Sequence, residues 1–414
     1  MKGKFHSIVK WLYPGIGIKR WIGLATGGVV LLVVGTAHLR ADQFWVLQTL
    51  DAVIVVCGIV ILILGIKRLM RSFIAAFMPA SRDTSELVDI LYQKKYLSRG
   101  PRIVTIGGGT GLSVLLSGLK DYTSNITAIV TVADDGGSSG RLREEFDILP
   151  PGDIRNCLVA LADAPTLMQD LFQFRFDTTS ELSGHSFGNL FITVMTRLTG
   201  DFEKAIKETS KVLALRGTVV PSTLHKVTLT ARHVDGSETV GEKKIPRKRQ
   251  TIRSVALQPQ DAEPAPDALK AIREAQIIIL GPGSLYTSII PNLLVKELTQ
   301  ALTVSSAVKV HVCNVMTQPG ESESYTASEH VRAMIAHSNP RVLNYCVVNT
   351  GVIPPGILKR YARDGSYPVV NDRRKVEKMG YRVIEDDFVA IEGDVIRHDP
   401  VKLARIILGL MEEI

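Results

Sequence analysis

Between Arg102 and Arg143 the sequence reads RIVTIGGGTGLSVLLSGLKDYTSNITAIVTVADDGGSSGRLR, and few folds accept that order. An apolar, β-branched run from Ile103 to Ile106 predicts a buried strand. Gly107, Gly108, Gly109, Thr110 and Gly111 follow at once. Leu112, Leu115, Leu116 and Leu119 then recur as one face of a helix. A strand, a glycine turn and a helix in that order build an anion site. Glycine lets backbone N–H groups approach a phosphate closely, and the helix start adds partial positive charge. A second apolar strand, Ile126 to Ala133, runs into Asp134 and Asp135, and then Ser138, Ser139, Arg141 and Arg143. In a doubly wound sheet both strand ends lie on one edge, where ligands bind. Leu112 stands where the third glycine of G-x-G-x-x-G belongs, and no G-K-[ST] follows. A nucleotide is expected, held in neither the standard dinucleotide nor the P-loop manner.

Charge separates the front of the chain from the rest. The 414 residues carry a net +8, and residues 1–100 hold 13 Lys/Arg against 5 Asp/Glu. The remainder is balanced at 36 of each. A broad nucleic-acid face is therefore not expected. The basic residues flank two apolar runs, Trp21 to Leu39 and Phe44 to Ile66, each long enough for a hydrocarbon core of about 30 Å. Asp51 lies within two turns of the second run's entry end. The short link, Arg40 to Gln43, predicts a tight hairpin. Lys2, Lys4, Lys10, Lys19 and Arg20 precede it, and Lys67, Arg68, Arg71 and Arg82 follow, which predicts both ends in the cytoplasm. A cleaved signal peptide is the rival reading of the first run, but no A-x-A site follows and a second apolar run does. Cys57, Cys157, Cys313 and Cys346 are scattered, as in a reduced cytosolic domain without a disulfide framework.

The expected organisation is a transmembrane hairpin over 1–69, a juxtamembrane linker over 70–100 and an α/β domain over 101–414. Within the linker, Pro79, Ala80 and Ser81 break the chain, and Ser85 is placed to cap a short helix from Glu86 to Tyr96. In the domain, strands and helices alternate, which predicts a Rossmann-like, doubly wound, mostly parallel sheet. Pro150-Pro151-Gly152 leads into a helix from Asp153 to Ala162. Asp153 either caps that helix or faces the ligand. Arg155, with Asn156 in the same first turn, opposes the helix dipole and hints at an anionic partner, with a solvated arginine as the plain alternative. Gly184 to Asn189 opens another helix; His185 has no second histidine at metal-ligand spacing, so no zinc site is expected. Residues 225–260 read as a β-rich excursion, with Asp235-Gly236 as a hairpin turn. The basic run Lys243, Lys244, Arg247, Lys248 and Arg249 reads as a solvated loop or as a dock for anionic lipid. Ala275 to Leu280 is a buried strand ending in Gly281-Pro282-Gly283-Ser284, a second turn of the same kind. Tyr286 is placed either to stack on a base or sugar or to join the core. Val308 to Val312 and Val342 to Val348 are further strands, and Asn314, Gln318 and Glu321 form a loop rich in hydrogen-bonding groups. An amphipathic helix through Leu403, Ile406, Ile407 and Leu410 closes the domain. Asp134, Asp135 and Asp153 beside phosphate donors suit Mg²⁺, while an acid at the end of the second strand also suits ribose hydroxyls.

The opening stretch resembles the CofD-like superfamily, and most closely its YvcK-type gluconeogenesis factors. PPGDIRNCLVALAD, GHSFGNL, GTVVPST, GPGSLYTSIIPNLL and CNVMTQPGES match in family order and span nearly all of the chain after residue 100. The resemblance implies two functions of different classes. YvcK-type proteins are similar to nucleotide-sugar binders, with UDP-N-acetylglucosamine as the ligand class and a role in cell shape and envelope synthesis. CofD proteins are transferases that move a phospholactyl-type group from a nucleotide diphosphate donor, with a divalent metal. The implied ligand residues are Gly107 to Gly111, Asp134, Asp135, Ser138, Ser139, Arg141, Arg155, Asn156, Asn189, Gly281, Gly283, Ser284, Tyr286, Thr287 and Asn314. The two glycine turns would hold the diphosphate, Tyr286 would stack, and Asp134, Asp135 and Asp153 match the acidic positions near the transferase metal. The hairpin departs from the soluble form of either type and suits an envelope role at the inner membrane. The expectation is a membrane-anchored cytoplasmic UDP-sugar-binding regulator, non-catalytic, with a metal-dependent transferase as the alternative. An envelope-synthesis protein partner and a homo-oligomer are both compatible with it.

Overall fold

A computed structural model describes residues 18–41, 45–77, 95–177 and 181–411. The chain forms two compact units that divide after Tyr92. The first contains helices Ile18–Ala41 and Trp45–Phe77, long and apolar enough to cross a membrane over Arg20–Leu39 and Trp45–Ser72. The second helix runs well past Ile66, where the apolar run ends. The two helices meet along a glycine seam at seven-residue spacing: Gly28 and Gly35 on one, Gly58 and Gly65 on the other. A Cβ at Gly28 would lie 2.7 Å from the Leu62 nitrogen, so only glycine permits this approach. Such small-residue seams are how apolar helices associate where burial from water offers no drive. Asp51 stands seven residues before Gly58 and is only 4% exposed, with its carboxylate 3.8 Å from His38 Nδ1. It turns into the seam rather than toward the surroundings. Most of the expected helix from Glu86 to Tyr96, its Ser85 cap, the break at Pro79 to Ser81, and the flanking Lys2, Lys4, Lys10 and Arg82 lie outside the described residues.

The second unit contains twelve strands among its described residues: β1 (Ile103–Gly107), β2 (Ile126–Val130), β3 (Thr218–Pro221), β4 (Thr228–His233), β5 (Glu238–Val240), β6 (Ile252–Gln258), β7 (Ile277–Leu280), β8 (Val308–Val312), β9 (Tyr345–Asn349), β10 (Arg382–Asp386), β11 (Val389–Glu392) and β12 (Val395–His398). Seven of them form one sheet in the order β3-β2-β1-β7-β8-β9-β10, and every neighbouring pair is parallel. β1 and β7 are buried along their whole length, as strands covered on both faces must be. The order of connection reverses between β1 and β7, so a crevice opens at their carboxyl ends.

β4, β5 and β6 form the antiparallel excursion, with Gly236 at φ +87° in the expected turn. β2 is shorter than expected and ends at Val130, where Thr131 N–H donates instead to the Gly107 carbonyl. Leu112, Leu115, Leu116 and Leu119 are buried, as their spacing requires. The closing helix, Pro400–Gly409, buries Leu403, Ala404 and Ile407. It packs on helix Gly109–Leu119, where Gly118 leaves room for the Pro400 carbonyl.

Candidate functional site: an acidic cleft at the sheet's switch point

A cleft of about 350 Å³ lies at the crevice between β1 and β7. It is lined by Gly108 to Gly111, Thr131, Asp134, Asp153, Glu242, Gly283, Ser284, Thr287, Ser288, Asn314, Gln318 and His398. The first turn forms its floor. Gly108 is extended and its need for glycine is spatial, because a Cβ would run into the Asp153 carboxylate. Gly109 N–H donates to Asp153. Thr110 and Gly111 come next, in the first turn of helix Gly109–Leu119, where N–H groups have no acceptor within the helix. These are the donors that an anion would find.

The second turn differs from the expectation. Gly283 N–H donates to Asn314 Oδ1 at 3.2 Å, and Asn314 Nδ2 donates to the Gly283 carbonyl at 2.8 Å. Gln318 donates to Ser284 Oγ at 2.9 Å. Glu321 accepts from Tyr286 N–H and from the Thr287 hydroxyl, at 3.3 and 3.1 Å. A carboxylate of the protein therefore occupies the helix start that was expected for phosphate, and burial pushes its pKa up to about 7. The second turn offers the cleft hydroxyls rather than main-chain N–H groups.

Three carboxyl groups line the cleft. Burial raises the Asp134 pKa above the usual carboxylate range, although Gly136 N–H and the Ser139 hydroxyl both donate to it. Asp153 is pushed up to about 7, first by burial and then by the charge of Asp134. Glu242 is pushed up to about 8 by burial and by the repulsion of Asp134 and Asp153. Acids held this close in a desolvated cleft favour a proton or a cation among them. Asp153 is no helix cap in the sense of the simpler expectation; it binds the glycine turn instead.

Asp135 does not belong to this set. Its Oδ1 accepts the Lys243 N–H at 2.9 Å, so it anchors the loop after β5. That loop buries Ile245 completely and delivers Glu242 to the cleft, while Lys243, Lys244, Arg247 and Arg249 stay exposed as the sequence predicts. The expected triad of Asp134, Asp135 and Asp153 thus becomes Asp134, Asp153 and Glu242. No sequence signal marked Glu242, which stands directly before a basic run. Among the described residues, no three His, Cys, Asp or Glu side chains form a metal cage by themselves. Mg²⁺ needs none, since it takes one or two carboxylates with ligand phosphates and water.

Several expected ligand residues form a layer outside the cleft lining. Ser138 Oγ lies 3.0 Å from His185 Nδ1 and accepts from Asn189 Nδ2 at 3.1 Å. Ser139 supports Asp134. Arg155 is buried, donates to Ser186 Oγ, and reaches Asn156 Oδ1 at 2.6 Å, so its solvated reading does not hold. Arg141 donates to the Ser183 carbonyl at 2.6 Å and Arg143 to that of Val227 at 2.8 Å. Tyr286 is 2% exposed, and its hydroxyl lies 2.9 Å from that of Tyr325. It is a core residue and cannot stack on a ligand in the cleft.

Both the sheet order and the glycine turn now bear on ancestry, and comparison with known proteins decides it. The profile of the family described as 2-phospho-L-lactate transferase CofD matches residues 103–389. The chain belongs to the CofD family. The gluconeogenesis factor of Bacillus subtilis (strain 168) is 49% identical over 317 residues, covering 77% of this chain and all of that protein. A Nostoc relative is 46% identical over 419 residues, covering 96% of this chain and 91% of its own, so its similarity extends into the helical hairpin. A crystal structure of a Bacillus halodurans protein superposes with a TM-score of 0.73 at 48% identity, over 75% of this chain and all of that one. This CofD-family chain carries the α/β unit shared with those relatives. Among its cleft residues, Asp134, Asp153 and Glu242 lie within the matched span and His398 lies beyond it.

Proposed function

We propose that the protein is a membrane-anchored, cytoplasmic nucleotide-sugar-binding regulator of carbon metabolism and cell-envelope synthesis, with UDP-N-acetylglucosamine as its ligand. One observation carries the reading. The Thr110 and Gly111 N–H groups at the start of helix Gly109–Leu119 open, beside three carboxyl groups, into a cleft at the switch point of a parallel sheet. The gluconeogenesis-factor relatives and the two apolar helices support it. The Thr110 and Gly111 N–H groups bind and orient a diphosphate, while the Ser284 and Ser288 hydroxyls supply further donors. Asp134, Asp153 and Glu242 fit a divalent cation by their chemistry, and Mg²⁺ there would neutralise the charge between them and the phosphates. The inner membrane is the expected location, with both ends of the hairpin on the cytoplasmic side.

The test is calorimetric titration of the full chain in lipid nanodiscs with UDP-N-acetylglucosamine, with and without Mg²⁺. Saturable binding without turnover supports the regulator. A second reading rests on the family's description and on Asp153 and Glu242, whose raised pKa values suit proton transfer near neutral pH. It is a metal-dependent transferase of the 2-phospho-L-lactate type. Metal-dependent binding of a guanine nucleotide, with none of UDP-N-acetylglucosamine, would favour it over the regulator.

A further inference from the structure

One wall of the cleft comes from a segment past the residues that the family profile matches. β12 ends at His398, and Asp399 then caps the closing helix by accepting the Val401 and Lys402 N–H groups at 3.0 Å each. That helix is locked onto helix Gly109–Leu119 where the Pro400 carbonyl meets Gly118. The same helix begins at the phosphate turn, so its far end fixes what covers its near end. Two residues before the contact, His398 reaches the cleft beside Gly108 to Gly111 and Asn314.

The ring of His398 is held in one state. It stacks on Phe388, with centroids 5.7 Å apart and planes 10° apart. Its Nε2 lies 3.4 Å from the Cys313 carbonyl oxygen. A carbonyl only accepts, so Nε2 carries the proton and Nδ1 keeps its lone pair. Burial lowers the pKa to about 4, so the imidazole is neutral at cytoplasmic pH. Nδ1 has no hydrogen-bond partner among the described residues. Among the cleft's other polar groups, the acids are crowded and the Asn314 oxygen is taken by Gly283 N–H, so the Gln318 amide oxygen and the hydroxyl oxygens are the remaining neutral acceptors. A neutral nitrogen acceptor has no attraction for a phosphate oxygen.

We propose that His398 is a specificity-determining residue of the cleft, whose Nδ1 accepts a hydrogen bond from a hydroxyl or N–H on the part of a nucleoside-diphosphate ligand that adjoins the phosphates. The inference rests on the nucleotide-sugar reading and deepens it. It gives the C-terminal hairpin and helix a function: they fasten a selective acceptor over the phosphate turn. A ligand with phosphates alone gains nothing from it, and one with a sugar hydroxyl in reach does.

The test measures dissociation constants of UDP-N-acetylglucosamine and inorganic pyrophosphate for the full chain in nanodiscs with Mg²⁺. Wild type is compared with His398→Phe, which keeps the ring on Phe388 but has no acceptor, and with His398→Asn, which restores an oxygen near the Nδ1 position. His398→Phe should weaken the sugar nucleotide about tenfold, the scale of one hydrogen bond left unmade. His398→Asn should recover most of that loss, and pyrophosphate binding should not change. Equal sugar-nucleotide affinity in wild type and His398→Phe would overturn this inference alone. So would equal losses in both variants, or a parallel loss for pyrophosphate, since either marks a purely structural role. A wild-type protein that binds neither ligand would overturn the nucleotide-sugar reading itself.

Discussion

Asp153 and Glu242 show how a single side chain's environment sets its chemistry. Both are held protonated well above their ordinary range. Between about pH 4 and pH 8 the folded protein therefore keeps protons that the unfolded chain has released. Their contribution to stability is full below the unfolded pKa and is lost as pH rises through the folded pKa. Glu242→Gln should accordingly stabilise the fold by roughly 1–3 kcal/mol at pH 8, with a higher melting temperature there and a nearly unchanged one at pH 5. Thermal unfolding at the two pH values checks this; an equal gain at both would refute the electrostatic account. The same variant should abolish the Mg²⁺-dependent part of ligand binding. Tyr286 gives the opposite case. Tyr286→Phe should leave ligand affinity unchanged and cost about 0.5–1.5 kcal/mol of stability through the lost Tyr325 contact. A large affinity loss with unchanged denaturant stability would return Tyr286 to the ligand site.

At the scale of elements, close backbone approach decides the packing. The two apolar helices touch through Gly28, Gly35, Gly58 and Gly65, and Asp51 continues that line. Gly58→Leu should therefore force the pair apart, since even a Cβ added there would lie 3.0 Å from the Leu32 nitrogen. Thermal unfolding of the full chain in nanodiscs, followed by far-ultraviolet circular dichroism, reads this out: the helical signal of the hairpin should be lost at a lower temperature after Gly58→Leu, and an unchanged transition would refute the seam. In the α/β unit, Gly118→Ala should destabilise the domain by roughly 1–3 kcal/mol, the cost of overpacking. Denaturant unfolding measures it. Because Gly118 locks the closing helix, the sugar-nucleotide affinity should fall with it.

For the molecule as a whole, two units of different physics share one chain. The Bacillus subtilis relative is matched in full by 77% of this chain, which argues that the α/β unit folds without the hairpin. Residues 93–414 expressed alone should remain in the supernatant on vesicle flotation, whereas the full chain should float. Flotation of the fragment would mean that the α/β unit carries a membrane surface of its own. The charge balance agrees with this division, since the whole excess of +8 lies in the first hundred residues.

Local pattern settled much of this protein. The strand–glycine–helix order, the buried leucine face after Gly111, the β-rich excursion and the two apolar runs were all legible. Each depends on residues within one or two turns of each other, where backbone sterics and hydrophobic period act directly. The cleft was legible only in part. Gly107 to Gly111, Asp134 and Asp153 follow from strand ends on one sheet edge. Glu242 could not be found that way, because a loop 108 residues beyond Asp134 brings it in, pinned by Asp135. Glu321 took the helix start expected for phosphate, and Tyr286 turned into the core, because burial and long-range hydrogen bonding outweigh the local signal at those positions. His398 lay behind a short strand with no motif to mark it. Sequence by itself determined which strands and glycine turns form and which edge of the sheet they share; the tertiary structure alone decided which acids share the cleft and which residues stand behind it, because that depends on contacts between segments far apart in the chain.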